Sequence, residues 1–168
     1  IRSWGVSAGS AAVAAAAIDA GAPIVQLAFN VLWANDLREV ERRARDQNTA
    51  ILARSVLAHG LLSGFYGHDH RFATGDHRNE RWNGSDWRRR IRHLDAIRPL
   101  VRGEVVTMRS AALRWVLSHE HVSAAVLGPR DCVQLDQLVR EVGKGPPYLL
   151  PDSLQALEAR LEDVGARP

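Results

Sequence analysis

Apolar residues are arranged along this chain in two alternating patterns. Short, nearly continuous apolar runs are typical of buried strands, whereas apolar residues that recur every three or four positions are typical of amphipathic helices. The first pattern predicts strands at residues 1–6, 24–29, 49–53 and 122–127. The second pattern predicts helices at residues 11–20, 36–47, 86–101, 108–118, 131–142 and 151–164. Strand and helix therefore alternate four times, and a final helix follows.

Residues that begin or end helices stand at the predicted boundaries. Ser10, Thr107 and Asp131 each precede a helical segment, where a side-chain oxygen can accept an unpaired backbone N–H of the first turn. Gly21 follows the first helix and can adopt the left-handed backbone that ends it. These four residues mark the predicted ends of three helices.

The segment 54–85 carries many Gly, His, Asp and Arg residues and has no sustained period. We predict a long irregular connection here. Because connections of this length are usually functional or disordered, we expect the segment to help shape a binding pocket.

The order of the elements predicts an α/β fold with parallel strands and right-handed crossovers. Two architectures satisfy this order: a doubly wound sheet and a (β/α)8 barrel. A complete barrel takes about 250 residues, so the 168 residues of this chain would supply four of the eight units. Four units would leave two edge strands with unpaired backbone groups. We therefore expect such a half-barrel to need a second half that pairs with these edge strands.

Composition adds mainly exclusions. Apolar residues make up 46% and charged residues 24% of the chain, which excludes disordered, collagen-like and disulfide-stapled proteins. The net charge of +3 does not favour a nucleic-acid partner. No apolar run approaches the ~20 residues that span a membrane. Cys132 is the single cysteine, so we expect a reducing, cytoplasmic location.

Three segments carry motifs of one known family. They are Trp4-Gly5-Val6-Ser7, the run ILARSVLAHGLLSGFY at 51–66 and the run VSAAVLGPRDCVQLDQL at 122–138. They resemble the later strands of the aldo/keto reductases. The second is similar to the family's Ser-Pro-Leu-Ala-x-Gly-Leu-Leu-Thr-Gly-Lys-Tyr signature, and the third to its Ile-Pro-Gly-Ala-Arg-x-x-x-Gln-Leu-x-x-Asn signature around the cofactor phosphate. Further similarity lies, in family order, at residues 25–30, 76–78 and 111–117.

This resemblance implies a TIM (β/α)8 barrel in which residues 1–168 form only the C-terminal half, strands five to eight. It also implies hydride transfer between NADP(H) and a small-molecule aldehyde or ketone. The family's catalytic Asp, Tyr, Lys and His come from the first four strands, so the resemblance assigns no catalytic residue to this chain. We therefore expect the chain to be inactive by itself. Because it opens on Ile1 inside an apolar run, we expect it to be part of something longer.

Polar residues at the carboxyl ends of the predicted strands are expected to face one crevice, where barrel ligands bind. By resemblance, Ser7 and Gln26 hydrogen-bond the nicotinamide carboxamide, and Arg54 stacks on the nicotinamide ring, as a planar guanidinium can. As alternatives, Ser7 and Gln26 only cap backbone groups, and Arg54 pairs with a carboxylate of a neighbouring loop. Ala8 stands where the family commonly has Asn, which removes one carboxamide partner.

The loop after the third predicted strand is expected to wrap the pyrophosphate. By resemblance, backbone N–H groups of Ser55, Val56 and Leu57 do this, and the small Gly60 allows close approach. Val56 replaces the usual Pro, so this loop is expected to be less rigid.

The turn before the helix at 131–142 is the more specific motif. Gly128 forms the turn, and Arg130 then lies at a helix N-terminus, where the dipole and free N–H groups favour an anion. By resemblance, Arg130 binds the 2′-phosphate of NADP(H) and Gln134 reaches the adenosine. Leu138 stands at the place of a usual Asn. The alternative is that Arg130 is merely exposed on the first helical turn.

Two other clusters suggest chemistry that we do not predict. The histidines and aspartates at 68–70 and 76–77 could ligate zinc or iron, but no single element fixes them, and the family needs no metal. The basic run 88–92 beside Trp87 resembles single-strand nucleic-acid binders. On a helix, however, Trp87 and Ile91 share an apolar face, which is typical of ordinary packing. We therefore expect no metal, nucleic-acid or membrane partner.

Two rival interpretations of the whole chain stay open. A barrel relative could keep the NADP(H) site without catalysis, as a redox sensor or regulator, and the departures at Ala8, Val56 and Leu138 agree with that. Alternatively, two copies could combine into one barrel by covering each other's edges. The sequence predicts neither the carbonyl substrate nor the oligomeric state.

Overall fold

A four-stranded parallel sheet forms the centre of the structure. The computed structural model describes residues 1–82 and 84–165. Its strands are β1 (Val6–Ser7), β2 (Ile24–Ala28), β3 (Ala50–Arg54) and β4 (Val122–Ala125). Their spatial order, β1-β2-β3-β4, repeats the chain order, and every pairing is parallel. A doubly wound sheet needs a point where this order reverses, so the topology decides for a segment of a (β/α)8 barrel.

Helices follow the strands as the sequence predicts. They are α1 (Ala11–Asp19), α2 (Asn35–Asp46), α3 (His77–Arg81), α4 (Gly84–Ile97), α5 (Met108–Leu117), α6 (Cys132–Glu141) and α7 (Pro151–Asp163). The predicted caps are confirmed: the side chains of Ser10, Thr107 and Asp131 accept the backbone N–H three residues further on. Gly21 is left-handed, with φ of 79°.

The core lies between one face of the sheet and the helices. Val25, Leu27, Ile51 and Ala53 alternate along β2 and β3, and none is more than 1% exposed. The intervening residues are only half-buried. A nearly continuous apolar run such as residues 49–53 predicts a strand that is covered on both faces, but helices of this chain cover one face only, so that prediction is wrong. The open face of the sheet carries the half-buried residues of β2 and β3, among them Gln26 and Arg54.

The predicted strand at 1–6 is too long. Only Val6 and Ser7 pair with β2, opposite Val25 and Gln26, and residues 1–5 are exposed. An apolar sequence at a sheet edge has a strand partner on one side only, so its backbone pairs over a shorter length than its composition predicts.

The predicted strand at 122–127 is also shorter and less buried than expected. It ends at Ala125, and Ser123 and Ala124 on this second edge are exposed. On the following helix, Val133 is 67% exposed while Leu138 is 6% exposed. This unit therefore uses only part of its apolar surface for packing within the chain.

The segment 54–85 is predicted to be irregular, but the structure shows helical elements within it. A 3₁₀ segment covers Ala58–Ser63, α3 follows, and α4 already begins at Gly84. The first two elements are too short to show a period in the sequence. Position 83 of this segment, and positions 166–168 of the predicted domain, lie outside the described residues.

Candidate functional site

A cleft of about 790 Å³ opens beyond the carboxyl ends of β3 and β4. We call residues 55–78, where they line it, the first wall, and residues 126–138 the second wall. Seven of the ten predicted site residues line the cleft: Ser55, Val56, Leu57, Gly60, Gly128, Arg130 and Gln134. The two loops predicted to hold phosphates therefore face each other across one space.

The other three predicted residues do not line the cleft: Ser7 and Arg54 end β1 and β3, and Gln26 lies in the middle of β2, opposite Ser7. The Ser7 hydroxyl donates to Gln26 Oε1 at 2.9 Å. The Arg54 guanidinium donates to the Ala8 carbonyl at 3.1 Å and to Ser55 Oγ at 3.4 Å. Within residues 1–82 and 84–165, Arg54 forms no ion pair, so no carboxylate of this part of the chain is the partner that the alternative requires. Hydrogen bonds thus connect the strand ends to the first wall.

The first wall has an unusual backbone. Ser55, Ala58 and His59 have φ between 50° and 56°, and Gly60 has φ of 89°. The left-handed conformation is unfavourable for residues with a side chain, by roughly 1 kcal/mol each. Such a conformation persists only where surrounding contacts hold it, and it clusters at functional sites.

Asn30, which the sequence analysis gave no role, holds this backbone. Its side chain is fully buried, Nδ2 donates to the Ser55 carbonyl at 2.9 Å, and Oδ1 accepts from Leu32 N at 2.9 Å. A buried amide without partners would be strongly unfavourable, so these bonds fix the position of Ser55 relative to the end of β2. The available signal was an asparagine within a long apolar stretch, residues 24–34.

Arg78, which lines the cleft, is another residue whose role the sequence did not predict. Its Nη1 donates to the Tyr66 hydroxyl at 2.6 Å, and its Nε donates to Asp76 Oδ1 at 2.9 Å. The hydrogen bonds that Arg78 donates to Asp76 hold the pKa of the Asp76 carboxyl well below its usual range. A Cβ added at Gly60 would lie 3.7 Å from Arg78 Nη1, so the glycine turn and the guanidinium are neighbours. Arg78 is therefore fixed in the cleft before any ligand binds.

An aromatic cluster supports Arg78 from behind. The Phe72 ring lies 5.3 Å from Tyr66, 5.7 Å from Trp82 and 5.4 Å from Trp87, measured between centroids. Trp82 is 3% and Trp87 is 7% exposed. Side chains this buried cannot stack on nucleic-acid bases, which agrees with the packing interpretation of this region.

The second wall is built around a helix N-terminus. Asp131 Oδ1 accepts from Gln134 N at 2.7 Å and caps α6, and Gln134 Oε1 accepts from the Arg130 backbone N at 3.0 Å. The Arg130 guanidinium is exposed, and no carboxylate of the described residues pairs with it. The turn therefore presents an uncompensated cation beside the N-terminus of a helix.

A partly buried ion pair fixes the far end of α6. Arg109, which also lines the cleft, donates to Glu141 at 2.6 Å and 3.1 Å, and the Thr107 hydroxyl donates to the same carboxylate at 2.7 Å. Burial acts to raise the pKa of Glu141, but the hydrogen bonds from Arg109 and Thr107 outweigh it and lower that pKa. The pair joins α5 to α6.

Basic groups dominate the electrostatics of the cleft. They are Arg78, Arg109, Arg130, His59 and His77. Asp76 and Glu141 compensate Arg78 and Arg109, respectively. Since Arg130 has no ion-pair partner among the described residues and lies beside the N-terminus of α6, the cleft suits an anionic ligand.

No group of three or more His, Cys, Asp or Glu side chains in the described residues could hold a metal ion. None of the helices described has both the length and the apolar character to cross a membrane.

Comparison with known proteins gives consistent matches. The sequence pattern of the Aldo/keto reductase family matches residues 1–144. An aldo-keto reductase from Pseudocercospora fijiensis is 30% identical, over 80% of this chain and 49% of that protein.

Two solved structures share the fold. A glycerol dehydrogenase from Gluconobacter oxydans has a TM-score of 0.84 at 23% identity, over 100% of this chain and 51% of that one. The holo form of an aldo-keto reductase from Bacillus halodurans has a TM-score of 0.71 at 17% identity, over 95% of this chain and 50% of that one. The chain thus spans about half the length of the proteins it matches.

Proposed function

The chain belongs to the aldo/keto reductase family, and we propose that its cleft binds NADP(H) for hydride transfer to or from a small carbonyl compound. One observation carries the proposal. Seven of the ten residues that family resemblance assigns to the cofactor line a single cleft, together with two further arginines, Arg78 and Arg109. A dinucleotide phosphate is the anionic ligand that this arrangement fits, since it bears both a pyrophosphate and a 2′-phosphate.

Ser7 and Gln26 would orient the nicotinamide. Because the Ser7 hydroxyl donates to Gln26 Oε1, the amide is held with its Nε2 free to donate to the carboxamide oxygen. When bound, the cofactor supplies or accepts the hydride, and a fixed carboxamide decides which face of the ring meets the carbonyl compound. Arg54, held by Ala8 and Ser55, would lie against the ring.

The two walls would divide the phosphates between them. Ser55, Val56, Leu57 and Gly60 would surround the pyrophosphate, with Arg78 as a fixed cation. Arg130 would bind the 2′-phosphate, since its guanidinium has no other ion-pair partner in the described residues. Gln134, one turn into α6, would reach the adenosine.

We infer that this chain does not reduce a carbonyl compound by itself. By family resemblance, the Asp, Tyr, Lys and His that move the proton belong to the first four strands of the barrel, and this chain matches about half of its relatives. The proposed partners are therefore the cofactor and, with the complete barrel, an aldehyde or ketone. The exposed, unpaired Cys132 agrees with a reducing location such as the cytoplasm.

The substitution Arg130→Ala tests the phosphate assignment. A charge-assisted contact to phosphate contributes about 1.5–3 kcal/mol, so NADPH affinity should fall by roughly 10- to 100-fold. NADH lacks the 2′-phosphate and should change by less than about twofold. Cofactor fluorescence titration measures both. Arg92→Ala on the exposed side of α4 is the matched control, and equal loss for the two cofactors would contradict the assignment.

A further inference from the structure

Two imidazoles in the cleft have no role in the family motifs or in the function proposed above. His59 lies in the left-handed turn of the first wall, and His77 begins α3. Both side chains are exposed, and both line the cleft. Their ring centroids lie 6.0 Å apart, so one small anionic group could contact both.

The surroundings of the pair are mostly basic. Arg54 approaches His59 from the end of β3, and Arg81 and His77 approach it from α3. Among the described residues, the carboxylate that pairs with an imidazole of this cluster is Asp76, whose Oδ1 lies 3.8 Å from His77 Nδ1. Asp76 is already engaged by Arg78, so it compensates at most part of the positive charge that protonation would add.

The surroundings of His59 disfavour its protonated form. Partial burial, followed by the positive charges of Arg81, His77 and Arg54, lowers the pKa of its imidazole. An anion placed between the two rings would act in the opposite direction, because it stabilises the protonated form. Binding of an anion and protonation of the pair would therefore favour each other.

We propose that His59 and His77 form a proton-dependent contact to the pyrophosphate of the bound dinucleotide. The inference rests on the proposed function and adds a regulation to it. Binding of the dinucleotide takes up a proton on the imidazole pair, and affinity rises as the pH falls through the range in which histidine titrates. Each proton taken up changes the affinity by at most about tenfold per pH unit.

ADP-ribose is the probe that isolates this effect. Its pyrophosphate is a diester with no ionisation between about pH 5.5 and about pH 8, so any pH dependence of binding there comes from the protein. Isothermal titration calorimetry with the 168-residue chain gives the dissociation constant at several pH values. Repeating the titration in two buffers of different ionisation enthalpy counts the protons taken up.

The variants are chosen for the local backbone. His59→Asn keeps a residue that tolerates the left-handed conformation, and His77→Gln keeps a polar side chain at the start of α3. His68→Gln changes an exposed histidine that does not line the cleft and serves as the matched control. The far-UV circular dichroism of each variant reports whether the fold is intact, and His77→Gln keeps the test decisive if His59→Asn unfolds.

The expected result is an affinity for ADP-ribose that rises roughly five- to tenfold from about pH 8 to about pH 5.5, with net proton uptake. The double variant should lose most of this rise, and His68→Gln should keep it. Binding that is independent of pH, or pH dependence that survives in the double variant, would overturn the inference and leave the proposed function standing. No binding of ADP-ribose at any pH would overturn both.

Discussion

The two walls of the cleft face the same space but are built in opposite ways. The first wall is fixed by its own contacts: Asn30 holds the Ser55 carbonyl, and Tyr66 and Asp76 hold Arg78. In the second wall, the Arg130 guanidinium has no ion-pair partner in the described residues. One wall is complete without a ligand, whereas the other presents a cation that no carboxylate of the described residues neutralises.

This difference indicates that one wall positions the ligand and the other selects it. A cation that is already paired gains little from one further anion, so Arg78 is suited to setting where a phosphate lies. An unpaired cation gains the full charge-assisted hydrogen bond, so Arg130 is suited to deciding which ligand is held. The substitutions below act on this comparison, in order of decreasing effect.

Asn30→Ala should break the first wall. It leaves the Leu32 N–H without a partner and leaves the Ser55 carbonyl with the Ala58 N–H alone, so we expect a loss of about 3 kcal/mol in the free energy of unfolding. Urea denaturation followed by tryptophan fluorescence measures it. Asn79→Ala on the exposed side of α3 is the control, and a loss as small as that of the control would mean that Asn30 does not hold this wall.

Glu141→Gln should loosen the far end of α6, the helix that carries part of the second wall. It removes the charge that pairs with Arg109 but keeps the shape, and we expect a loss of about 2 kcal/mol at neutral pH. Since folding lowers the pKa of Glu141, its contribution is present above the usual carboxyl pKa and is lost as the pH falls through the lowered value.

The pH dependence gives this prediction its own check. The difference in unfolding free energy between the chain and Glu141→Gln should be largest near neutral pH and should shrink below about pH 4. Denaturation at several pH values measures it. A difference that grows in acid would show that the ion pair does not stabilise the fold.

Tyr66→Phe should weaken only the support of Arg78. The ring and its packing on Phe72 stay, while the acceptor for Arg78 Nη1 is lost, so we expect a loss of about 1 kcal/mol. Chemical denaturation measures this loss. Tyr148→Phe, remote from the cleft lining, is the control. A neutral result would leave Asp76 as the group that positions Arg78.

Val139→Ser should have the smallest effect of the four. Val139 is 64% exposed on α6, so this substitution should change the free energy of unfolding by less than about 0.5 kcal/mol. Leu138→Ala, one residue away but 6% exposed, should cost about 2 kcal/mol in the same measurement. If both variants lost equal stability, the outer side of α6 would be a packed surface and the contrast with the first wall would be wrong.

Local signals predicted the helix boundaries and the loops of the site. The caps at Ser10, Thr107 and Asp131 depend on residues within one turn, and the glycine turn before Arg130 is written in consecutive residues. These features can therefore be predicted without knowledge of the rest of the fold.

Features that depend on distant residues were missed or misplaced. The hydrogen bond from Asn30 to Ser55 spans 25 positions. An asparagine within an apolar stretch is visible in the sequence, but nothing there identifies Ser55 as its partner. The length of β1 and the exposure of Val133 depend on which neighbours a surface has, which an apolar sequence does not specify. The aromatic cluster behind Arg78 likewise joins residues from a loop and from the next helix.

The left-handed backbone of the first wall also restricts which sequences this loop accepts. In a library with every amino acid at Ser55, Ala58 and His59, glycine and asparagine should be enriched, because they adopt positive φ most readily. Valine, isoleucine and threonine should be depleted at all three, although Ala58 is buried and His59 is exposed. The amino acids accepted at these three positions would depend on the backbone torsion angles and not on hydrophobicity.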